Sequence, residues 1–389
     1  MLISTLIYII QLRRMSKDSY KTKYFKELNS LRFIGFIGIF FGHVFFSNSP
    51  EIINSKLYST LFSYGKILGF ISIDSFFVLS SFLITWKALE EIKFTNTFQF
   101  KNFLIRRSLR IWPLYFLIIF IGFLLEYLKS YYFLESEKLP SLWNFILFIL
   151  NFDIIENGYN FLFFMVFMWS ISVEEQFYVF WAITIKWFNK YLFGISFLII
   201  FLSLFFRIYF INDSLSLNFH TVSAFGNFGI GALTAISAFK YQHFLNKLQS
   251  LSRNKILFFY LIIFTFFILM PVLQENDFFI VIQRVLFSIF FSFIILEQTY
   301  CDKSIFKVSK IKYFNFFGKI SYGLYCYHGI IITIVLQMSG FLSESLLNNL
   351  VLYPIIIFIS TLMTSQLSFK FYESKFLKFK SKFSFLSSN

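Results

Sequence analysis

Residues 28 to 46 read LNSLRFIGFIGIFFGHVFF. Apart from Arg32 and His43 the stretch carries no ionisable side chain. A helix of that length, at about 1.5 Å per residue, approaches the roughly 30 Å of hydrocarbon in a bilayer. Arg32 and His43 stand eleven positions apart, close to three whole turns, so they share one face with His43 about 16 Å further along the axis. The stretch reads as a spanning helix whose polar face leads from a cation at one membrane surface to a buried imidazole.

Similar apolar blocks recur along the whole chain, at residues 31–49, 66–86, 109–127, 170–188, 191–211, 219–239, 256–273, 279–299, 320–339 and 346–369. Of the 389 residues 57% are apolar and only 14% charged, with mean hydropathy +0.69, whereas soluble domains carry about 25% charged residues. The expected fold is an all-α polytopic membrane protein with about ten transmembrane helices. A net charge of +15 suggests nucleic acid at first sight, but the basic residues lie between the apolar blocks rather than on one basic domain, so no nucleic-acid partner is expected. Cys301 and Cys326 fall in a loop and a span respectively, which argues against a disulfide, and neither has metal-site spacing.

Charge orients the blocks. With the N-terminus in the cytosol, all but six of the 35 Lys and Arg residues fall on the cytosolic side; Lys56, Lys66, Lys129 and Lys138 lie outside, and Arg207 and Arg284 lie within spans. The positive-inside rule therefore places both termini in the cytosol. Residues 143–152 and 161–168 are apolar but too short to span singly, so 128–168 is expected to form a re-entrant or lid segment at the outer face. The chain divides into a cytosolic or interfacial N-terminal segment (1–30), a membrane domain (31–370) and a basic cytosolic tail (371–389). The apolar first twelve residues read as an interfacial or disordered start, not a cleaved signal.

Ionisable residues inside a membrane are costly and mark function. His43 either bonds a neighbouring helix or serves as a general base, a role its near-neutral titration suits. In SIDSFFVLSSFLIT (72–85), Asp74 and Ser81 share a stripe at i, i+7; Asp74 either orients His43 or bonds a facing hydroxyl. RRSLRIWPLYF (106–116) places Arg106, Arg107 and Arg110 at a cytosolic mouth, as anchors or as phosphate-gripping guanidiniums. MWSISVEEQFYVFW (168–181) holds Glu174 and Glu175 about 100° apart on a helix, so only one faces a given cavity, and Trp169 offers a face for a sugar ring. Ser321, Tyr325 and His328 align at i, i+4 and i+7 within SYGLYCYHG, a polar stripe for substrate or for helix pairing.

Five such motifs in order, LNSLRFIGFIGIFFGH, DSFFVLSSFLI, RRSLRIWPLY, WSISVEEQFY and SYGLYCYHG, with the acidic end FYESKFL, make the chain resemble acyltransferase family 3, the integral-membrane acyltransferases of bacterial surface polysaccharides. The resemblance covers nearly the whole chain. It implies a protein of the bacterial cytoplasmic membrane with no permanently bound cofactor. Acyl-CoA, commonly acetyl-CoA, is the cytosolic donor, and a hydroxyl of a carbohydrate or lipid-linked glycan the acceptor, with membrane lipids as surroundings. By the same resemblance His43 is the catalytic group, Arg32 its first-helix arginine, Arg107 and Arg110 the donor-binding arginines, and Glu174 or Glu175 the acidic motif. Catalytic candidates are thus His43, Asp74, Glu174 and Glu175. Ser81 stands where the family usually has Gly, the N-terminus is longer, and the soluble hydrolase-like domain that many members append is not expected here. The competing class is a proton-coupled transporter or flippase of a lipid-linked sugar, which fits buried His, Asp and Arg but not the arginine cluster or the ordered motifs.

Overall fold

The structure is a computed structural model that describes residues 23–47, 49–132, 135, 137–339 and 344–384; the expected interfacial start, the first twelve residues, lies outside them. The described residues are helical with no strand. The architecture rests on α1 (Lys26–His43), α2 (Lys56–Thr95), α3 (Phe100–Tyr131), α4 (Met168–Phe188), α5 (Leu192–Tyr209), α6 (Thr221–Lys240), α7 (Arg253–Leu273), α8 (Asp277–Tyr300), α9 (Ser321–Ser339) and α10 (Tyr353–Ser368).

Among the described residues seven helical segments are long and apolar enough to cross a membrane: α2, α3, Phe163–Tyr209, Ser214–Lys240, α7, α8 and Asn348–Lys380. The apolar blocks of the sequence give ten, and the gap has a physical origin. Helix α1 opens on Lys26 and Glu27 and carries Arg32, α9 spends its first turns on polar residues, and α4 and α5 are separated only by the short turn Asn189–Tyr191. Helices also outrun their apolar blocks. Helix α2 is 40 residues long and stops where Asn96 takes a left-handed conformation, φ 58°, which closes a helix C-terminus at little steric cost.

Association of α1 with α2 depends on glycine. A Cβ on Gly42 would lie 2.8 Å from the Cα of Gly69, so the two backbones touch there. In hydrocarbon, where apolar side chains gain nothing by leaving lipid, such close packing drives helix association. Helix α6 packs against α2, α5 and α8, completing the buried middle of the molecule. Helix α7 is apolar on nearly every side yet buries only Ile256 and Met270, and Phe201 and Phe205 of α5 are exposed. Those surfaces suit lipid rather than water.

Between α3 and α4 the chain forms three short helices, Leu142–Ile146, Leu150–Asn157 and Phe163–Val166. Phe145, Leu150, Ile154, Phe164 and Met165 are fully buried. The Tyr115 hydroxyl donates to Phe145 O at 3.0 Å and Gln176 Nε2 to Phe148 O at 2.6 Å, so this connection is wedged into the bundle by α3 and α4. Past α10 the helix runs on through Phe369–Glu373 and Ser374–Lys380 and docks beside α3, where Tyr372 donates to Pro113 O at 3.0 Å.

Candidate functional site

Two cavities lie back to back. The larger, about 660 Å³, is lined by His43, Trp169, Phe167, Tyr58 and Tyr159 among others. The smaller, about 90 Å³, is lined by Arg32, Arg107, Arg110, Ser80, Glu174, Tyr178, Ser321 and Tyr325. Ile73 lines both. Tyr325 on the slot side donates to the carbonyl of Phe167 on the other, at 2.7 Å. The eleven-residue spacing of α1 therefore puts Arg32 in one cavity and His43 in the other.

At the histidine end, His43 Nδ1 and His328 Nε2 are 3.0 Å apart, and His328 Nδ1 is 2.5 Å from Tyr325 O. A carbonyl only accepts, so His328 Nδ1 carries a proton. Neutral His328 then presents an Nε2 lone pair, which accepts from His43 Nδ1–H. This assignment leaves Nε2 of His43 as its unprotonated, basic nitrogen, and a fixed hydrogen bond on one ring nitrogen is what sets the other's role. Phe167 stacks on both rings, with centroids 4.2 Å from His43 and 4.9 Å from His328. Gly329 makes room for it, since a Cβ there would come 2.7 Å from the Phe167 ring.

Asp74 does not reach this pair. Its carboxylate accepts from Arg284, whose Nε donates to Oδ1 at 2.9 Å and to Oδ2 at 3.2 Å and whose Nη2 donates to Oδ1 at 2.5 Å. Neither partner that the sequence leaves open to Asp74, His43 or a facing hydroxyl, holds it: α8 brings the Arg284 guanidinium to its carboxylate, and His328 is the group bonded to His43.

At the arginine end, Arg107 lies over the Tyr178 ring, 5.3 Å from its centroid, and Arg32 makes a long 3.3 Å bond to Asn29. No ion pair found among the described residues engages Arg32, Arg107 or Arg110. Arg106 is different: Glu91 holds it at 3.1 Å and it donates to Phe383 O at 2.6 Å, so it faces away from the slot. Glu174 accepts from Tyr178 at 2.5 Å and from Ser80. Glu175 points elsewhere, accepting from Trp112 Nε1 at 3.2 Å and lining neither cavity, as the 100° offset requires. Ser81 donates to Phe228 O of α6 at 2.6 Å. Its hydroxyl ties two helices at a crossing where a smaller residue also fits.

Sequence reasoning missed Tyr178, one turn after Glu174 on the same face and so within reach of a helical-spacing argument. It also missed Lys380, whose interacting like charges are Arg110, Arg107, Arg106 and Arg32. Nothing in a basic tail distinguishes that lysine until the helix docks.

Residues 25–367 match the family model described as an acyltransferase domain. A Staphylococcus aureus (strain COL) protein named "Putative O-acetyltransferase" is 29% identical over 383 residues, covering 92% of this chain and 58% of its own length. A protein with the same name from strain N315 gives the same figures. The peptidoglycan O-acetyltransferase OatA of Listeria monocytogenes is 27% identical over 180 residues, 43% of this chain and 26% of its own. The chain thus spans a little over half the length of the Staphylococcus relatives. No solved structure matches it.

Proposed function

The chain belongs to acyltransferase family 3, and from that premise we propose that it is an O-acetyltransferase. It moves an acetyl group from acyl-CoA at the arginine end to a hydroxyl of a cell-surface or lipid-linked carbohydrate in the larger cavity. The observation that carries the reading is His43, oriented by His328, on the wall of one cavity while three arginines with no ion pair among the described residues line the adjoining slot. A slot of about 90 Å³ suits a thioester arm and not a nucleotide. The CoA phosphates stay at its mouth, where Arg107, Arg110 and Lys380 supply charge-assisted hydrogen bonds.

In this mechanism the acceptor hydroxyl lies in the 660 Å³ cavity and gives its proton to His43 Nε2 as its oxygen attacks the thioester carbonyl. The carbon–sulfur bond breaks, and the proton passes from His43 to the departing thiolate, releasing CoA. His328 holds His43 in the basic tautomer. Trp169 and Tyr159 offer ring faces to the sugar.

The positive-inside pattern supports a cytosolic arginine end in a bacterial cytoplasmic membrane, with both termini cytosolic. In that arrangement α1 and α9 cross as well, and α4 and α5 cross separately, which gives ten spans. The short helices of 142–166 then sit at the outer face as a wall of the acceptor cavity.

The test supplies radiolabelled acetyl-CoA to membranes containing wild type or His43→Ala and follows label into polysaccharide. Loss of a general base costs about 10²- to 10⁴-fold, so the variant should fall at least 100-fold. Equal labelling would end the proposal.

A further inference from the structure

A third cavity, about 640 Å³, lies beside the histidine cavity and shares Phe62, Lys66 and Phe70 with it. Its charged lining is Lys66, Asp74, Arg207 and Arg284: three cations and one carboxylate. Arg284 is neutralised by Asp74. Arg207 is 1% exposed and has no carboxylate among its hydrogen-bond partners. It donates to Val281 O at 2.9 Å, Leu217 O at 3.0 Å, Ser223 Oγ at 2.8 Å and Ile280 O at 2.5 Å.

The two guanidiniums converge. Arg284 Nη1 approaches the same Ser223 Oγ at 3.3 Å and the same Leu217 O at 3.5 Å. Two like charges therefore crowd one buried corner with a single counter-ion, an arrangement that is expensive without a further anion. Donors also remain: a guanidinium has five N–H groups, and each of these keeps at least one N–H on Nη2 beyond the bonds just described. Lys66 sits two turns before Asp74 on α2, is exposed, and rests over the Phe62 ring at 4.4 Å. Among the described residues it takes part in no ion pair.

We propose that this cavity is a phosphate-binding site. The excess of two positive charges matches a phosphate monoester, which carries about −1.5 to −2 at neutral pH, and guanidinium forks fit its oxygens. The phosphate monoester arrives either as the headgroup of phosphatidic acid in the surrounding bilayer or on the acceptor glycan, whose hydroxyl then reaches the adjoining His43 cavity. The glycan source rests on the acyl-transfer reading. The binding site itself does not, so a binding measurement separates the failure of one from the failure of the other.

The probe is inorganic phosphate, titrated onto the purified full chain in phosphatidylcholine vesicles while the thermal unfolding midpoint is followed. Chloride at matched ionic strength is the control. Because the arginine slot would also take phosphate, the titration is run in Arg110→Gln. A saturable rise in midpoint is expected to survive that change. Adding Lys66→Gln, at an exposed position with no ion pair among the described residues, should raise the half-saturating concentration about three- to fivefold, the size of a partly exposed ion pair. With phosphatidic acid included in the vesicles, a lipid-filled site no longer responds to added phosphate, whereas a glycan site responds as before. If phosphate acts no differently from chloride in Arg110→Gln, or if Lys66→Gln leaves the response unchanged, the site does not exist.

Discussion

The two ends of the α1 polar face solve opposite problems. At Arg32 the cavity is small, cationic and built from side chains whose charges lack ion-pair partners among the described residues. At His43 it is about seven times larger, aromatic, and its key imidazole is fully committed on one nitrogen. Guanidiniums with no ion pair among the described residues suit an anionic ligand, whereas an imidazole locked by a neighbour is prepared to act on a neutral group. The contrast teaches that one helix face can divide recognition from chemistry, with Phe167, Ile73 and Tyr325 as the partition.

The division can be broken by finding that either end does the other's work. The largest effect after loss of His43 is expected from His328→Ala. Removing the group that fixes a catalytic tautomer costs about 10- to 100-fold, and it should appear in kcat with KM for acetyl-CoA unchanged. His328→Asn keeps an acceptor and should recover part of the rate, which a purely packing role would not allow. A rise in donor KM in His328→Ala would contradict the separation. Arg110→Gln should do the reverse, raising KM for acetyl-CoA about tenfold, the order of one charge-assisted hydrogen bond, while kcat at saturation changes little. A kcat loss with unchanged KM would place Arg110 in the chemistry instead.

Much of this was legible because helical periodicity is local. The shared face of Arg32 and His43, the divergence of Glu174 from Glu175, and the stripe of Ser321, Tyr325 and His328 all follow from 100° per residue; Ser321 and Tyr325 line the slot, His328 meets His43, and Glu175 turns to Trp112. Pairings between helices were not legible. His328 lies 285 positions from His43 and Arg284 lies 210 from Asp74. Which helix faces which is decided by backbone contacts such as Gly42 against Gly69, and hydropathy is blind to these. The same limit explains why the sequence leaves Asp74 between His43 and a facing hydroxyl when its partner is Arg284, and why nothing in it marks Lys380. Helix ends were misjudged for another reason: apolar blocks mark what favours lipid, whereas α2 continues until Asn96 stops it.

The most direct measurement of transfer from one cavity to the other uses sealed membrane vesicles with the arginine face outward, labelled acetyl-CoA added outside and the polysaccharide acceptor enclosed. Since CoA does not cross the bilayer, the account predicts labelled polysaccharide in the lumen, dependent on His43. Label that stays with acceptor on the donor side, or that enters the lumen equally in His43→Ala, would contradict it.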